Sequence, residues 1–320
     1  MEINSNDLVI NPSYINPKYK IDLPEKPSDE RLISYSQFSM FANCPLSWKL
    51  AYIDKLRSRE ASIHTVFGNA MHNTIQHWIQ IMYNDTIKAA NSIDLNAVLL
   101  HQMKFEYFKG LKHGELPLSK EELAEFYIDG VNILTYLKKK RTTYFTPRKE
   151  ILIGTEVPIM IKKNGIWVTA YLDWVIQEKF DDTVVIRDIK TSTKGWGDFM
   201  KKDKVKSSQL LLYKLYFAKQ YKVPLEKIRV EYLILKRKID ENSEWPQRRI
   251  QTFRPSQGKI SSNQIQKQFD EFIKSCFLPD GTLNPIYEYK ANPGMKYKNC
   301  RFCDFRDRDD LCPTKNRIPE

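Results

Sequence analysis

Residues 151–194 constrain the chain more than any other stretch. Residues 151–161 alternate or run apolar, and Asn164-Gly165 is a tight-turn signal. Residues 166–177 are rich in β-branched and aromatic side chains, and Asp181-Asp182 opens a further apolar run at 183–189. This pattern predicts three short β-strands joined by turns. Each strand carries one acid that a buried strand does not accept without a reason: Glu156, Asp173 and Asp188. Lys190 follows Asp188 by two residues, so both side chains leave the same face of their strand. Carboxylates gathered on a core sheet make a hard-oxygen pocket suited to Mg²⁺ or Mn²⁺. A lysine beside them adds a fixed positive charge. Together they are the equipment for opening a phosphodiester, with metal to activate water and a cation to offset charge on the phosphoryl oxygens.

The flanks supply further candidates. Residues 63–83 place Val66, Ala70, Ile75, Ile79 and Met82 at helical spacing. Gly68 and His72 share one face of that helix, the glycine allowing a second backbone to approach and the histidine pointing at the same neighbour. Taken alone, His72 is more often a packing or surface residue than a ligand; His64, His77, His101 and His113 receive only that plain reading. After Lys190 come Lys194, Lys201, Lys202, Lys204 and Lys206, with Trp196 and Phe199 among them. Such a mixture can hold phosphates and stack on bases, or the aromatics can simply pin the loop to the core. Residues 207–222 form an apolar helix on which Gln209 and Tyr213 face one way, and 228–238 read as another strand. The basic run Lys138–Arg141 is either a solvated helix end or a phosphate contact.

Asp173, then Asp188-Ile189-Lys190 with Thr191-Ser192, resembles the signature of the PD-(D/E)XK nuclease superfamily. Leu172 stands where many members have proline. Within the superfamily the chain is similar to the RecB-like branch, including the AddB nuclease domain and the CRISPR adaptation exonucleases. Gly68–His72 resembles the histidine motif ahead of that branch's catalytic sheet. Gln209 and Tyr213, the former nineteen residues after Lys190, resemble its QxxxY motif. The resemblance implies that His72, Asp173, Asp188 and the Ile189 carbonyl hold the metal, with Glu156 bound directly or through water. It makes Asp173, Asp188, Lys190 and Glu156 catalytic, and Gln209, Tyr213 and Lys194 contacts to DNA. A lysine between carboxylates keeps its proton, which favours an electrostatic role for Lys190 over a general base.

Cysteine usage adds a second feature. Cys300 and Cys303 form a CxxC, and Cys312 follows within a dozen residues. Three thiolates need a fourth ligand for a tetrahedral Zn²⁺ or an iron–sulfur cluster. Spacing does not choose between Cys44 and Cys276. The resemblance implies Cys44, Cys300, Cys303 and Cys312 around a [4Fe–4S] cluster; a structural Zn²⁺ in the same thiolates is the alternative, and metal-free reduced thiols a third. Cys276 reads as a buried free thiol.

The 320 residues suffice for a sizeable core, and 42% apolar with 12% aromatic content argues for a folded chain. The net charge of +12, from 51 Lys and Arg against 39 Asp and Glu, favours a polyanionic partner. No run approaches the roughly 20 apolar residues of a membrane span, and the N-terminus lacks a signal pattern, so the expected compartment is the cytoplasm. No GxxxxGK[ST] occurs, so any helicase or recombination partner is a separate chain. The expected fold is α/β: a restriction-endonuclease-like core with a small mixed central sheet flanked by helices, an N-terminal helical region, a helical insertion and a C-terminal cysteine-cluster segment. The expected division is an arm at 1–30, helices with Cys44 and the histidine motif at 31–85, and the insertion at 86–148. The nuclease core follows at 149–240, a helical or irregular extension at 241–295, and the cysteine tail at 296–320. The expected activity is metal-dependent cleavage of DNA, single-stranded or at duplex ends, by an exonuclease of replication, recombination or repair. A non-catalytic DNA-binding accessory subunit and an RNA-processing nuclease are the rivals. Oligomeric state is not written in the sequence.

Overall fold

The computed structural model describes residues 10–57, 62–111, 118–240, 242–313 and 315, and within these leaves aside the side chains of Lys204, Lys206 and Ser207. His113 lies outside the described residues.

A mixed sheet forms the centre. Its strands are β1 (Tyr14–Ile15), β2 (Leu32–Ile33), β3 (Glu150–Lys163), β4 (Ile166–Glu178), β5 (Val184–Ser192), β6 (Ile228–Lys236) and β7 (Ile250–Phe253). The order is β1-β3-β4-β5-β6-β7, with β2 added in parallel against β4. The three strands expected at 151–189 are β3, β4 and β5. Asn164 (φ +46°) and Gly165 (φ +72°) both take left-handed backbone in the β3–β4 turn, which matches the right-handed twist of the hairpin. β5 and β6 run parallel, and the helices α8 (Asp198–Lys202) and α9 (Lys204–Tyr221) carry the chain between them, as a parallel step requires.

Period-2 alternation sends each strand's side chains into two separate cores. Val184 and Ile186 enter one with Leu210 and Phe217 of α9, Phe38 of α1 (Tyr35–Asn43), and Phe269 and Phe272 of α10 (Lys259–Cys276). Val185 and Ile189 enter the other, against Met71 and Ile75 of α3 (Ile63–Asn84), Leu99 of α5 (Leu95–Leu111) and Ile133 of α6 (Lys120–Lys139). Short helices α2 (Pro45–Trp48), α4 (Ile87–Ser92) and α7 (Arg141–Tyr144) complete the α-helices among the described residues. Ser62 caps α3 by accepting from the Thr65 amide, and Ser119 with Glu122 forms a capping box on α6. No helix among the described residues is long and apolar enough to cross a membrane.

Three strands, β1, β2 and β7, escape the sequence patterns. β1 docks Tyr14 and Ile15 on Thr155 and Gly154. Gly154 is required there, because a Cβ would lie 2.3 Å from the Tyr14 carbonyl oxygen. β7 pairs Phe253 with Tyr232 in a stretch that reads as irregular.

Candidate active site

The site follows from where β4 changes neighbours. Its first half pairs with β2 at Trp167 and Val168, and its second half pairs with β5 from Trp174 to Gln177. Pairing with β5 stops at Trp174–Arg187, so the strands fork at Asp173, and the Ile189 amide has no ladder partner across the fork. The Asp173 carboxylate takes its place, accepting from the Ile189 N–H at 2.7 Å through Oδ2. The fork thus converts a lost backbone hydrogen bond into a fixed acid.

Asp188 and Lys190 leave one face of β5, as expected from their spacing, with Lys190 Nζ at 2.8 Å from Asp188 Oδ2. That oxygen is buried and finds no hydrogen-bond partner apart from this ammonium. His72, from α3, brings Nδ1 to 3.4 Å from Asp173 Oδ2. One turn later Gln76, fully buried, donates to Glu156 Oε1 at 2.6 Å and to the Asp173 carbonyl at 3.0 Å. Glu156 sits in the left-handed region at φ +50°, inside β3. For a non-glycine residue that conformation costs on the order of 1–3 kcal/mol and persists only where the surroundings hold it. Gln76 anchors the Glu156 side chain at this position.

The electrostatics follow from burial. Burial pushes the Asp173 carboxyl up to about 7, against the pull of Lys190 and the Ile189 amide. Burial, with Asp173 adding to it, pushes Asp188 up to about 6 although Lys190 pulls it down. Burial alone would lower the Lys190 ammonium, but Asp188 and Asp173 outweigh it and hold its proton more tightly than usual. Burial and the Lys190 charge lower His72, so the imidazole is neutral at pH 7, the form that ligates metal. Buried acids raised by desolvation, a carboxylate oxygen whose one partner is the Lys190 ammonium, and a neutral imidazole fit a divalent cation. No group of three or more His, Cys, Asp or Glu among the described residues stands at coordinating distances.

Gln209 Nε2 donates to the Tyr213 hydroxyl at 2.7 Å, and Asp188 acts with burial to push that phenol up. Gln209 and Lys190 line one end of a cleft of about 500 Å³ whose walls include Tyr35, Asn43, Asn299 and Phe302. Lys194 is not part of it and lines a different groove with Arg187 and Trp174. Trp196 is buried against Tyr232 and Phe253, so it pins the loop, whereas Phe199 is exposed. An added Cβ at Gly68 would meet Thr191 at 3.6 Å, an ordinary contact, so close packing does not demand glycine there. His64 stacks edge-on with Phe126.

Sequence reasoning missed Gln76 and the strained backbone at Glu156. A glutamine one turn after His72 was a visible signal for the first; nothing in the sequence marks the second.

Cys44, Cys300, Cys303 and Cys312 line one small pocket with Leu50 and Phe305, while Cys276 is buried in α10 away from it. Burial and the three neighbouring thiols push the Cys312 thiol up. The Asn292 amide approaches Cys44 Sγ at 3.3 Å, and Ser47 Oγ lies 3.7 Å from Cys303 Sγ. Four thiols sharing one pocket have the donor chemistry for a soft metal, but as they stand they are not arranged as a coordination sphere.

The family model of the PD-(D/E)XK nuclease superfamily matches residues 32–312. Among solved structures, one titled the crystal structure of SSO0001 is similar at 12% identity over 91% of this chain and 89% of that chain, with a TM-score of 0.37. No curated protein matches the chain.

Proposed function

The chain belongs to the PD-(D/E)XK nuclease superfamily, and from that premise we propose that it is a metal-dependent deoxyribonuclease of the RecB-like branch, an exonuclease acting on single strands or duplex ends. Members of the superfamily usually work with Mg²⁺ or Mn²⁺. The observation that carries the reading is the fork at Asp173, where two acids raised by burial, one ammonium and one neutral imidazole gather at a strand end.

His72, Asp173, Asp188 and the Ile189 carbonyl would hold the ion, with Glu156 bound directly or through water. When bound, Mg²⁺ or Mn²⁺ supplies Lewis-acid activation of water and of the scissile phosphate. The remaining work belongs to the chain. The Ile189 amide restrains Asp173, and Gln76 restrains Glu156, which limits how far either acid can turn when substrate arrives. Lys190 stays protonated, orients the attacking water and offsets charge on the phosphoryl oxygens, a role worth about 10²–10³ in rate. Gln209 would contact the strand along the cleft, and Tyr213, buried behind it, would fix its amide through the hydroxyl. The thiolates of Cys44, Cys300, Cys303 and Cys312 would hold a [4Fe–4S] cluster, with structural Zn²⁺ as the alternative; their order along the chain and shared pocket support either. Visible absorption after anaerobic purification, with elemental analysis, separates the two.

The test of the activity is digestion of end-labelled single- and double-stranded DNA, beside RNA, with Mg²⁺, Mn²⁺ or EDTA. Metal-dependent release of nucleotides from DNA ends is the expected result. Preferential loss of RNA would reassign the substrate, and salt-sensitive binding without hydrolysis would make the chain an accessory DNA-binding subunit.

A further inference from the structure

We propose that the reverse face of β5–β6–β7 carries a second phosphate-binding groove, which takes the nucleic-acid strand at a distance from the cutting site. The proposal rests on the nuclease reading and adds a site to it. Alternation along β5 sends Arg187 to the face opposite Asp188. There it forms part of a groove of about 490 Å³ lined also by Lys194, Lys236, Arg248 and Arg254. Five cations therefore meet in one concavity. Glu231 answers two of them, pairing with Arg187 Nε at 2.6 Å and Arg254 Nε at 2.9 Å. Lys194, Lys236 and Arg248 make no ion pair with a described carboxylate.

Arg187 marks the groove as more than a charged surface. Its guanidinium lies 4.2 Å over the Trp174 ring and near Glu150 as well as Glu231, so its position is fixed. Its buried Nη1 nevertheless has no hydrogen-bond partner. The fixed guanidinium forms the floor of the groove, and the unanswered cations Lys194, Lys236 and Arg248 above it suit a phosphodiester oxygen. Tyr144, only partly buried, lines the same groove and gives a base or sugar an apolar surface, while Trp174 lies buried behind Arg187. Size also fits: the groove has nearly the volume of the cleft at Lys190 and Gln209, enough for nucleotide units and more than a lone anion needs. β5 joins the two sites, since Asp188 and Lys190 serve one and Arg187 the other.

Arg248 and Arg254 are the residues to test, because both are exposed and neither belongs to the cutting site. Binding of fluorescein-labelled single-stranded DNA is followed by anisotropy in EDTA across a salt series, for the intact protein and for Arg248→Gln with Arg254→Gln. Loss of two phosphate contacts lowers the slope of log affinity against log salt by about 1.4, at ~0.7 per contact. Hydrolysis of thymidine 5′-(p-nitrophenyl phosphate), too short to span both sites, stays unchanged, and inorganic phosphate at millimolar concentration does not displace the labelled strand. An unaltered slope overturns the proposal. So does an equal fall on replacing Lys267 and Lys274 of α10 by glutamine, which would mean diffuse charge, or a parallel loss of ester hydrolysis. Displacement by phosphate alone would mean a simple anion site and overturn it too. If the double variant does not fold, Arg248→Gln alone, whose side chain makes no ion pair, is expected to give half the change. If the intact protein hydrolyses nothing, the nuclease reading fails while the binding series still decides the groove.

Discussion

Asp173→Asn should stabilise the metal-free protein while abolishing its response to metal. The wild-type carboxyl is carried from 3.8 to about 7 by burial, which amounts to ~4 kcal/mol of unfavourable free energy once it is ionised. The folded chain binds this proton more tightly than the unfolded chain. Stability is therefore unaffected by the group below about pH 4 and falls as pH rises to 7, with the whole loss in force above it. Asparagine keeps an oxygen for the Ile189 amide and carries no charge. Because Asp173 and Asp188 titrate as a pair, about 2 kcal/mol is the fraction to expect at pH 8. Urea or thermal unfolding in EDTA at pH 8 should show the variant more stable by that amount, with the gain shrinking toward zero near pH 4. Adding Mg²⁺ at ~100 times its Kd should reverse the order, raising the wild type by about 2.7 kcal/mol and leaving the variant unmoved. A variant less stable than wild type in EDTA at pH 8, or a difference independent of pH, would refute the reasoning.

Lys190→Ala should lower kcat by about 10²–10³ while DNA binding survives at low salt, read by single-turnover cleavage and anisotropy; near-normal turnover contradicts its role. Gln76→Ala removes hydrogen bonds to Glu156 and the Asp173 carbonyl and should cost ~1–3 kcal/mol of stability, with weaker Mn²⁺ binding by calorimetry. Unchanged Mn²⁺ affinity would mean that Gln76 does not position the site. Cys303→Ser should remove most of the iron or zinc found by elemental analysis and lower the unfolding midpoint, whereas Cys276→Ser leaves metal content intact. Equal effects of the two would remove the thiol pocket from consideration.

Long, strongly patterned elements were legible in the sequence. β3, β4 and β5 follow from alternation and the Asn164-Gly165 turn, and α3 from its 3.6-residue periodicity. β7 was not, because four residues are too few to show a period and its pairing with β6 is non-local. β1 is shorter still. Within the site, residue type and spacing pointed to Asp188 and Lys190 because both lie on one strand. The fork at Asp173 was invisible, since it depends on β4 having two different neighbours along its length. Glu156 was named for its charge, but its positive φ comes from packing that no local pattern records. Lys194 was grouped with the cutting site because it follows Lys190 closely in sequence. A turn after the strand instead carries it to the groove shared with Arg187. Nothing local chooses Cys44 over Cys276; folding brings Cys44 to the tail and buries Cys276 against Tyr289.

The most direct measurement is anomalous diffraction from crystals grown with Mn²⁺. A peak bounded by the His72 imidazole, the Asp173 and Asp188 carboxylates and the Ile189 carbonyl is the predicted result, with Lys190 Nζ outside the coordination sphere. Manganese bound elsewhere, or no peak at this fork at saturating Mn²⁺, would contradict the assignment.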